Sequence, residues 1–458
     1  MMQKKISSSF RDPSGFIFVQ DKIIYRQINQ VYKENYDFLM ESGLYEKLVG
    51  DKLLISHTEM VEKQLNTGAY KVIKPERIPF ISYPYEWSFS QLKDAALTTI
   101  KIQKIAMEYG MSLKDCSAYN IQFLNGKCIL IDTLSFEKYV EGKPWVAYRQ
   151  FCQHFLAPLA LMSNKDIRLS QLLRIYIDGI PLDLTSSLLP SSSFLKFSSL
   201  SHIHLQSKSQ KHFGQKKIEI SKYKLSKSKL LVLVISLESA VNGMKWKPQD
   251  TEWADYYSDT NYSEKALEQK KLLVDNFLEE IRPKTVWDLG ANTGLFSRIA
   301  CKKANLTVSF DIDPSAVEKN YLESVKNNET NILPLLLDLS NPSSGLGWEN
   351  EERMSIFERD TPDTVLALAL IHHLAISNNL PFEKIASLFG KICNSLIIEF
   401  VPKTDSQVQR LLVTREDIFS NYTQENFVAE FSKYFKIEKS VRVEDTDRTL
   451  YLMRKLNS

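Results

Sequence analysis

The sequence lacks any hydrophobic run long enough to cross a membrane. Its longest purely apolar runs, such as 230–235 and 365–371, have the length of a strand, far below the ~20 residues of a membrane-spanning helix. The N-terminus is basic but has no apolar stretch of the kind found in a secretory signal. The five cysteines form no C-x-x-C pair, which is typical of scattered reduced thiols. These absences predict a cytoplasmic protein without a membrane span.

Neither sign of charge dominates the chain. The 58 Lys and Arg residues against 55 Asp and Glu leave a formal net charge of +3, and 43% of the residues are hydrophobic. Such a composition is that of globular domains, and at about 100–200 residues per domain the length predicts two or three of them. A charge so close to balance excludes an overall field that would attract nucleic acid, which we therefore do not predict as a partner.

One compositional break divides the chain. A Ser-rich cluster begins at 186, and between Gln206 and Lys229 eight lysines stand against one acid. Lysine without interleaved arginine or aromatic residues favours a solvated connector over a nucleic-acid contact. The predicted organisation is an N-terminal α+β domain over 1–185, a linker region over 186–245 and a second domain over 246–458.

The C-terminal block alternates strand-like and helix-like segments. Continuous apolar strands separated by amphipathic segments indicate a parallel sheet that is covered on both faces. We therefore predict a doubly wound, Rossmann-like α/β domain. The predicted strands are Thr285–Leu289, Leu306–Asp311, 332–337, 364–370, Ser395–Phe400, 435–443 and 449–453.

Acidic residues lie at the ends of three successive predicted strands. The first strand leads into a D-x-G-x-x-x-G turn from Asp288 to Gly294, which differs from the G-x-G-x-x-G of dinucleotide enzymes. An acid beside this turn suits a ligand with a cationic group. Asp311 ends the second strand, where a carboxylate accepts hydrogen bonds from ribose hydroxyls, and Asp338 follows the third. Any one of these acids alone would be read as a helix cap or a loop residue.

At these residues the sequence resembles the class I S-adenosylmethionine-dependent methyltransferases. VWDLGANTGLFS resembles their first motif, and VSFDIDPSAV resembles their ribose-binding second strand. The resemblance covers about 246–458 and implies an enzyme that moves a methyl group from S-adenosylmethionine to an unidentified oxygen or nitrogen nucleophile. It implies that Asp288, Gly290, Asn292 and Gly294 hold the methionine part, that Asp311 binds the ribose, that Ile312 packs on the adenine and that Asp338 binds the adenine amino group.

The fourth predicted strand ends in two adjacent histidines. In the resembled fold this end faces the methyl group and the acceptor, so His372 or His373 could take a proton from the nucleophile. The alternative is that one caps the next helix while the other packs inside. We predict no metal site, because adjacent residues point apart and no third ligand is evident.

The fifth strand and an upstream aromatic cluster leave further alternatives open. LIIEFVPKTD resembles a stretch of a bacterial subgroup, some of whose members carry a nodulation-protein label. Its Glu399 could orient an acceptor or a histidine, or merely finish the strand. The aromatic cluster could cover the cofactor or pack a helix on the sheet. It consists of Trp246, Trp253, Tyr256, Tyr257 and Tyr262.

The N-terminal block carries a D-x-x-x-x-N pattern from Asp115 to Asn120, then a predicted hairpin across Asn-Gly, then Asp132. This pattern weakly resembles the catalytic loop and metal-binding Asp of the protein-kinase fold, without its glycine-rich loop. The alternative is a polar loop before a hairpin. Two other functions thus compete with methyl transfer: a kinase-like phosphotransferase, and a non-enzymatic protein whose C-terminal domain only senses S-adenosylmethionine.

Overall fold

A computed structural model describes residues 4–60, 68–191, 200–204, 226–248, 262–413 and 415–456. The chain forms two compact units. The first comprises Met1–Lys247 together with Gly345–Met354, and the second comprises Pro248–Ser344 together with Ser355–Ser458. Within the described ranges every helix is too short or too polar to span a bilayer.

The first unit contains a five-stranded antiparallel sheet of order β1-β2-β3-β5-β4. Two short antiparallel pairs, β6 with β9 and β7 with β8, accompany it. The predicted Asn-Gly hairpin is confirmed, since Asn125 and Gly126 both have positive φ, at 52° and 72°. The strands are β1 Lys4–Lys5, β2 Gly15–Gln20, β3 Ile23–Asn29, β4 His57–Met60, β5 Ala69–Pro75, β6 Met111–Leu113, β7 Ile121–Leu124, β8 Lys127–Leu130 and β9 Phe136–Lys138.

The longest helix of the first unit, Phe89–Glu108, begins with a capping box in which the Ser88 and Gln91 side chains bind each other's backbone N–H. With its separate sheet and helices this unit is α+β, while its likeness to a kinase stays a prediction. The helices are α1 Lys33–Glu41, α2 Leu44–Gly50, α3 Phe89–Glu108, α4 Tyr148–Phe151, α5 Ala157–Asn164, α6 Leu172–Ile175, α7 Leu182–Leu188 and α8 Lys227–Gly243.

Helix α8 lies inside the span that the sequence predicts as a linker. It packs against α3 with Leu230, Val234 and Leu237 buried, and Lys104 forms a 3.0 Å ion pair with Glu238. The predicted linker span therefore contains an ordered helix, whose apolar residues follow helical spacing although its flanks are polar. Six of the eight lysines in the basic stretch lie outside the described residues.

The second unit is built on a seven-stranded sheet of order β12-β11-β10-β13-β14-β16-β15. Strands β10 to β14 pair in parallel, and β16 runs antiparallel between β14 and β15. Its strands are β10 Thr285–Leu289, β11 Leu306–Asp311, β12 Ile332–Leu336, β13 Thr364–Ala367, β14 Ser395–Phe400, β15 Phe435–Arg442 and β16 Thr449–Lys455.

Successive strands of this sheet wind outward from β10, first through β11 and β12 and then, on its other side, through β13 and β14. The predicted doubly wound fold is thereby confirmed. Buried side chains of α9 and α10, among them Val274, Phe277 and Phe296, join the core with residues of the sheet. The helices are α9 Glu264–Ile281, α10 Leu295–Ala300, α11 Pro314–Lys326, α12 Ile356–Arg359, α13 Phe382–Ile392, α14 Ser406–Leu412 and α15 Gln424–Phe431.

Candidate functional site

A cavity of about 310 Å³ lies at the carboxyl ends of β10, β11, β12 and β13. Strand β10 pairs with β11 on one side and with β13 on the other, so the order of the sheet reverses there. Ligands of open α/β sheets bind at this reversal point. Of the predicted site residues, Asp288, Gly290, Asn292, Asp311, Ile312, Asp338 and His373 line the cavity, whereas Gly294 and His372 are not part of its lining.

The two glycines of the turn after β10 both have positive φ. Gly290 has φ +75°, and a Cβ added to it would lie 3.3 Å from Leu370. Gly294 has φ +85°, and its added Cβ would lie 2.4 Å from Asn320 Oδ1. Gly290 therefore leaves space at the cavity, while Gly294 allows the helix that follows the turn to pack closely.

Asp288 is a buried acid at the cavity wall. Its Oδ2 accepts a 2.6 Å hydrogen bond from Ser297 Oγ, which itself accepts a 2.7 Å bond from Ser309 Oγ. Burial raises the pKa of Asp288 to about 7, because the carboxylate loses its water. A cationic ligand group in the cavity would favour the ionised form.

Asp311 connects the end of β11 to the glycine turn. Its Oδ2 accepts a 2.7 Å bond from the Asn292 N–H, and its Oδ1 accepts a 2.9 Å bond from the Asp313 N–H. Burial raises the pKa of Asp311 to about 6. Asp313 caps α11 through the Ser315 N–H. Each Asp311 oxygen retains lone-pair capacity toward a ligand, since a carboxylate oxygen accepts about two hydrogen bonds.

Two further residues complete this side of the cavity. Ile312 lines the cavity, yet its large apolar side chain is 61% exposed. It therefore offers an apolar surface on which a flat ligand ring could pack. Asp338 lies two residues beyond the end of β12, where its Oδ1 accepts bonds of 2.8 and 2.6 Å from the N–H and Oγ of Ser340.

The two histidines have different surroundings. Strand β13 ends at Ala367, because Ala369 adopts a left-handed conformation with φ +49°, and the chain enters a helical turn over His373–Ser377. His373 reaches the cavity, whereas His372 is buried and its Nδ1 has no hydrogen-bond partner among the described residues. Burial, together with the nearby cation of Arg448, lowers the pKa of His373 to about 4. His373 is therefore neutral at pH 7.

A buried ionic network lies at the same end of the sheet. We call Tyr262, Lys270, Glu399, Asp405 and Arg448 the strand-end network. Lys270 Nζ donates to Glu399 Oε2 at 2.7 Å and to the Tyr262 hydroxyl at 3.1 Å, and that hydroxyl donates a short bond to Glu399 Oε1. Arg448 donates to the same hydroxyl at 2.8 Å and holds Asp405 through two bonds of 2.7 and 3.1 Å.

Sequence reasoning singled out Glu399 and Tyr262 but missed Lys270 and Arg448. Burial opposes the charge of Glu399, yet Lys270 and Arg448 attract it more strongly and lower its pKa, so Glu399 is ionised at neutral pH. A glutamate inside the apolar run LIIEF was the signal that a buried cation must lie nearby. Trp246 belongs to the first unit, and the aromatic residues 253, 256 and 257 lie outside the described residues.

In the first unit, the two aspartates of the kinase-like pattern form ion pairs or hydrogen bonds with other residues of the same unit. Arg26 forms a 2.6 Å ion pair with Asp132, whose oxygens also accept 2.9 Å bonds from the Leu134 N–H and the Ser135 hydroxyl. Asp115 accepts bonds of 2.9 and 2.8 Å from Ser117 and Gln150. Among the residues that the structure describes, no three His, Cys, Asp or Glu side chains are grouped to hold a metal ion.

The reversal of strand order at β10, the antiparallel β16 and the acids around the glycine turn define the second unit as a class I methyltransferase fold. The whole chain is 34% identical over 457 residues to the nodulation protein NoeA of Rhizobium meliloti (strain 1021), covering 98% of this chain and 95% of that protein. The chain therefore belongs to the NoeA family of nodulation proteins, which confirms the predicted resemblance. No family model matches the sequence.

Two solved structures overlap the chain in part. The N-methyltransferase NodS of Bradyrhizobium japonicum WM9 is 10% identical and covers 43% of this chain and 99% of its own, with a TM-score of 0.32. Magnesium protoporphyrin IX methyltransferase ChlM of Synechocystis PCC 6803, with bound S-adenosylhomocysteine, is 15% identical and covers 44% and 93%, with a TM-score of 0.31. The fold assignment rests on the strand order and not on these scores.

Proposed function

We propose that the second unit transfers a methyl group from S-adenosylmethionine to an oxygen or nitrogen nucleophile of a small molecule, a saccharide or a protein. The observation that carries this proposal is the set of three acids around one cavity at the reversal point of the sheet. Asp288, Asp311 and Asp338 lie at or just beyond the carboxyl ends of three neighbouring strands, and each contributes to the lining. We expect this chemistry to take place in the cytoplasm.

The cavity residues fit this cofactor in shape and charge. Asp288 would bind the ammonium of the methionine part, beside the backbone of the Gly290 turn. Asp311 would accept hydrogen bonds from the two ribose hydroxyls. The exposed face of Ile312 would pack on the adenine, and Asp338 would accept from its amino group.

The chain's own residues would align the acceptor, exclude water and take up a proton. S-adenosylmethionine, when bound, supplies a methyl group already activated on a sulfonium. The apolar side chains of Leu368, Leu370 and Leu374 line the cavity and would keep water away from the acceptor. His373 would accept the proton that the nucleophile loses, since it is neutral and reaches the cavity. Positioning then contributes most of the rate.

The experiment that tests this function measures binding first and transfer second. Calorimetry should detect S-adenosylmethionine binding to the full chain, and the absence of binding would overturn the proposal. Labelled cofactor is then incubated with fractionated extract of Rhizobium meliloti, the organism of the NoeA relative. Label in any fraction separates an enzyme from a protein that only senses the cofactor. The His373→Gln variant should bind the cofactor like the wild type and transfer label at least about tenfold more slowly.

A phosphotransferase activity of the first unit has no comparable support. Its predicted metal-binding carboxylate, Asp132, is already neutralised by Arg26 and by two further donors.

A further inference from the structure

The cavity wall contains an alanine in an unfavourable backbone conformation. Ala369 has φ +49°, in the left-handed region that residues with a Cβ seldom occupy. It is the second residue after β13, and the chain turns there before His373 N–H bonds to the Leu370 carbonyl at 3.0 Å. The direction in which His373 leaves the sheet therefore depends on this turn.

The side chain that holds the turn comes from the neighbouring strand. The Ala369 N–H donates a 2.7 Å hydrogen bond to Oε2 of Glu399 in β14. Glu399 is fully buried, and every residue of β14 is buried with it. A buried carboxylate persists only where its charge is compensated, and it forms stronger hydrogen bonds than a neutral acceptor.

The rest of the strand-end network fixes Glu399 in place. Lys270 shares Oε2 with Ala369, while the Tyr262 hydroxyl occupies Oε1. That hydroxyl accepts from both Lys270 and Arg448, so its two lone pairs and its proton are all engaged. Tyr262 consequently has no capacity left to act as a proton acceptor for a substrate, and its engagement points to positioning.

We propose that Glu399 is a positioning residue for methyl transfer: by accepting the Ala369 N–H, it holds the left-handed turn that places His373 at the acceptor end of the cavity. Lys270 and Tyr262 serve this role by fixing both oxygens of Glu399. The proposal rests on the proposed function for its catalytic consequence, but the dependence of the turn on Glu399 is measurable without any acceptor.

A matched pair of double variants isolates the hydrogen bond. Lys270→Met with Glu399→Gln removes both charges, yet the Gln carbonyl can still accept from Ala369 while its amide donates to Tyr262. Lys270→Met with Glu399→Leu removes the same charges and also the acceptor. Neither variant leaves a lone buried charge, and both keep the pair of Arg448 with Asp405.

Three measurements compare the two variants. Hydrogen exchange of the Ala369 amide should be about tenfold faster in the Leu variant than in the Gln variant. The reason is that the Gln side chain still accepts a hydrogen bond from this amide, whereas the Leu side chain cannot. Modification of His373 by diethylpyrocarbonate, followed by mass spectrometry, should change in rate only in the Leu variant. The cofactor Kd should differ by less than about threefold, while label transfer with the active extract fraction falls about tenfold in the Leu variant.

Adding Ala369→Gly to the Leu variant should restore part of the transfer rate, because glycine adopts positive φ without steric cost. Should the Leu variant not fold, Glu399→Asp keeps the charge but draws the carboxylate away from Ala369, and it should show the same changes to a smaller extent. Equal amide exchange and equal His373 modification in the Gln and Leu variants would overturn the proposal. Absence of cofactor binding in the wild type would instead overturn the proposed function. The comparison of Ala369 amide exchange would still test whether the turn depends on Glu399.

Discussion

The backbone N–H of Asn292 donates a 2.7 Å hydrogen bond to Oδ2 of Asp311, which joins the glycine turn after β10 to the carboxyl end of β11. Asn292 has φ +51°, a left-handed conformation that Asn tolerates better than most residues. One carboxylate thus orders the turn and also faces the cavity. The two sequence motifs that carry the methyltransferase resemblance therefore form one structural unit.

The Asp311→Asn variant tests this double role. The amide keeps the shape of the carboxylate but accepts on one side only, so it loses either the bond from Asn292 or the bond from Asp313. We expect the S-adenosylmethionine Kd measured by calorimetry to rise by about tenfold to a hundredfold, as loss of charged hydrogen bonds implies. Glu323→Gln, on the exposed face of α11, is the control and should leave the Kd unchanged. An unchanged Kd in Asp311→Asn would contradict the assignment.

Cofactor affinity should increase with pH between about 6 and 7, below the range in which the ligand's own ammonium loses its proton. Asp288 has a pKa of about 7 and is mostly protonated below it, whereas the ammonium of the ligand binds the ionised form. Binding at pH 6 should therefore release protons, which calorimetry detects as a dependence of the binding enthalpy on the buffer. The Asp288→Asn variant should bind more weakly and lose this pH dependence; an affinity of the wild type that is flat over this range would contradict the prediction.

The same pKa shift has the opposite sign for the stability of the unliganded protein. An acid whose pKa is higher in the folded state than in the unfolded chain binds its proton more tightly when folded. The Asp288 and Asp311 contributions to the free energy of unfolding therefore decline as pH rises from about 4 to 7. Saturating cofactor should offset this loss, since it binds the folded state alone.

Local signals allowed the acidic wall of the cavity to be predicted from sequence. Gly290 and Gly294 have positive φ, which glycine adopts without steric cost. Asp288 and Asp311 lie at the carboxyl ends of apolar strands, and these ends must meet at one edge of a parallel sheet. Each of these features depends on a few neighbouring residues, so it is readable without the tertiary structure.

The acceptor side depends on contacts between distant segments. Tyr262 and Glu399 are 137 residues apart, and Arg448 and Asp405 are 43 apart, so no local spacing connects them. The predicted fourth strand ran to 370, but the turn at Ala369 is enforced by Glu399 and has no local signal. That turn places His373 in the cavity lining and leaves His372 outside it. Because the turn has no local signal, the sequence could not distinguish the two histidines, and both were predicted as candidates.

Substitution of Gly294 should destabilise the second unit. Its φ of +85° is unfavourable for a residue with a Cβ, and that Cβ would lie 2.4 Å from Asn320 Oδ1 and 2.7 Å from Arg298 Nη1. We expect Gly294→Ala to lower the free energy of unfolding by about 2–4 kcal/mol through strain and displacement of these side chains. The matched control is Gly243→Ala, because no atom lies within 4 Å of the Cβ added there. In the same thermal denaturation series this substitution should leave the midpoint unchanged or raise it slightly. Equal midpoints for the two variants would contradict the assigned strain.

Removing one partner of the buried ion pair between Arg448 and Asp405 should destabilise the protein more than replacing both partners. Both side chains are almost fully buried, and Arg448 also donates to Tyr262. Arg448→Met leaves Asp405 charged without its partner and should lower the free energy of unfolding by about 3–5 kcal/mol in urea denaturation. Arg448→Met with Asp405→Asn should recover most of this loss, because Asn still caps α14 through the Gln407 N–H and no lone charge remains. A double variant no more stable than Arg448→Met would show that the stability comes from Arg448 packing and not from charge pairing.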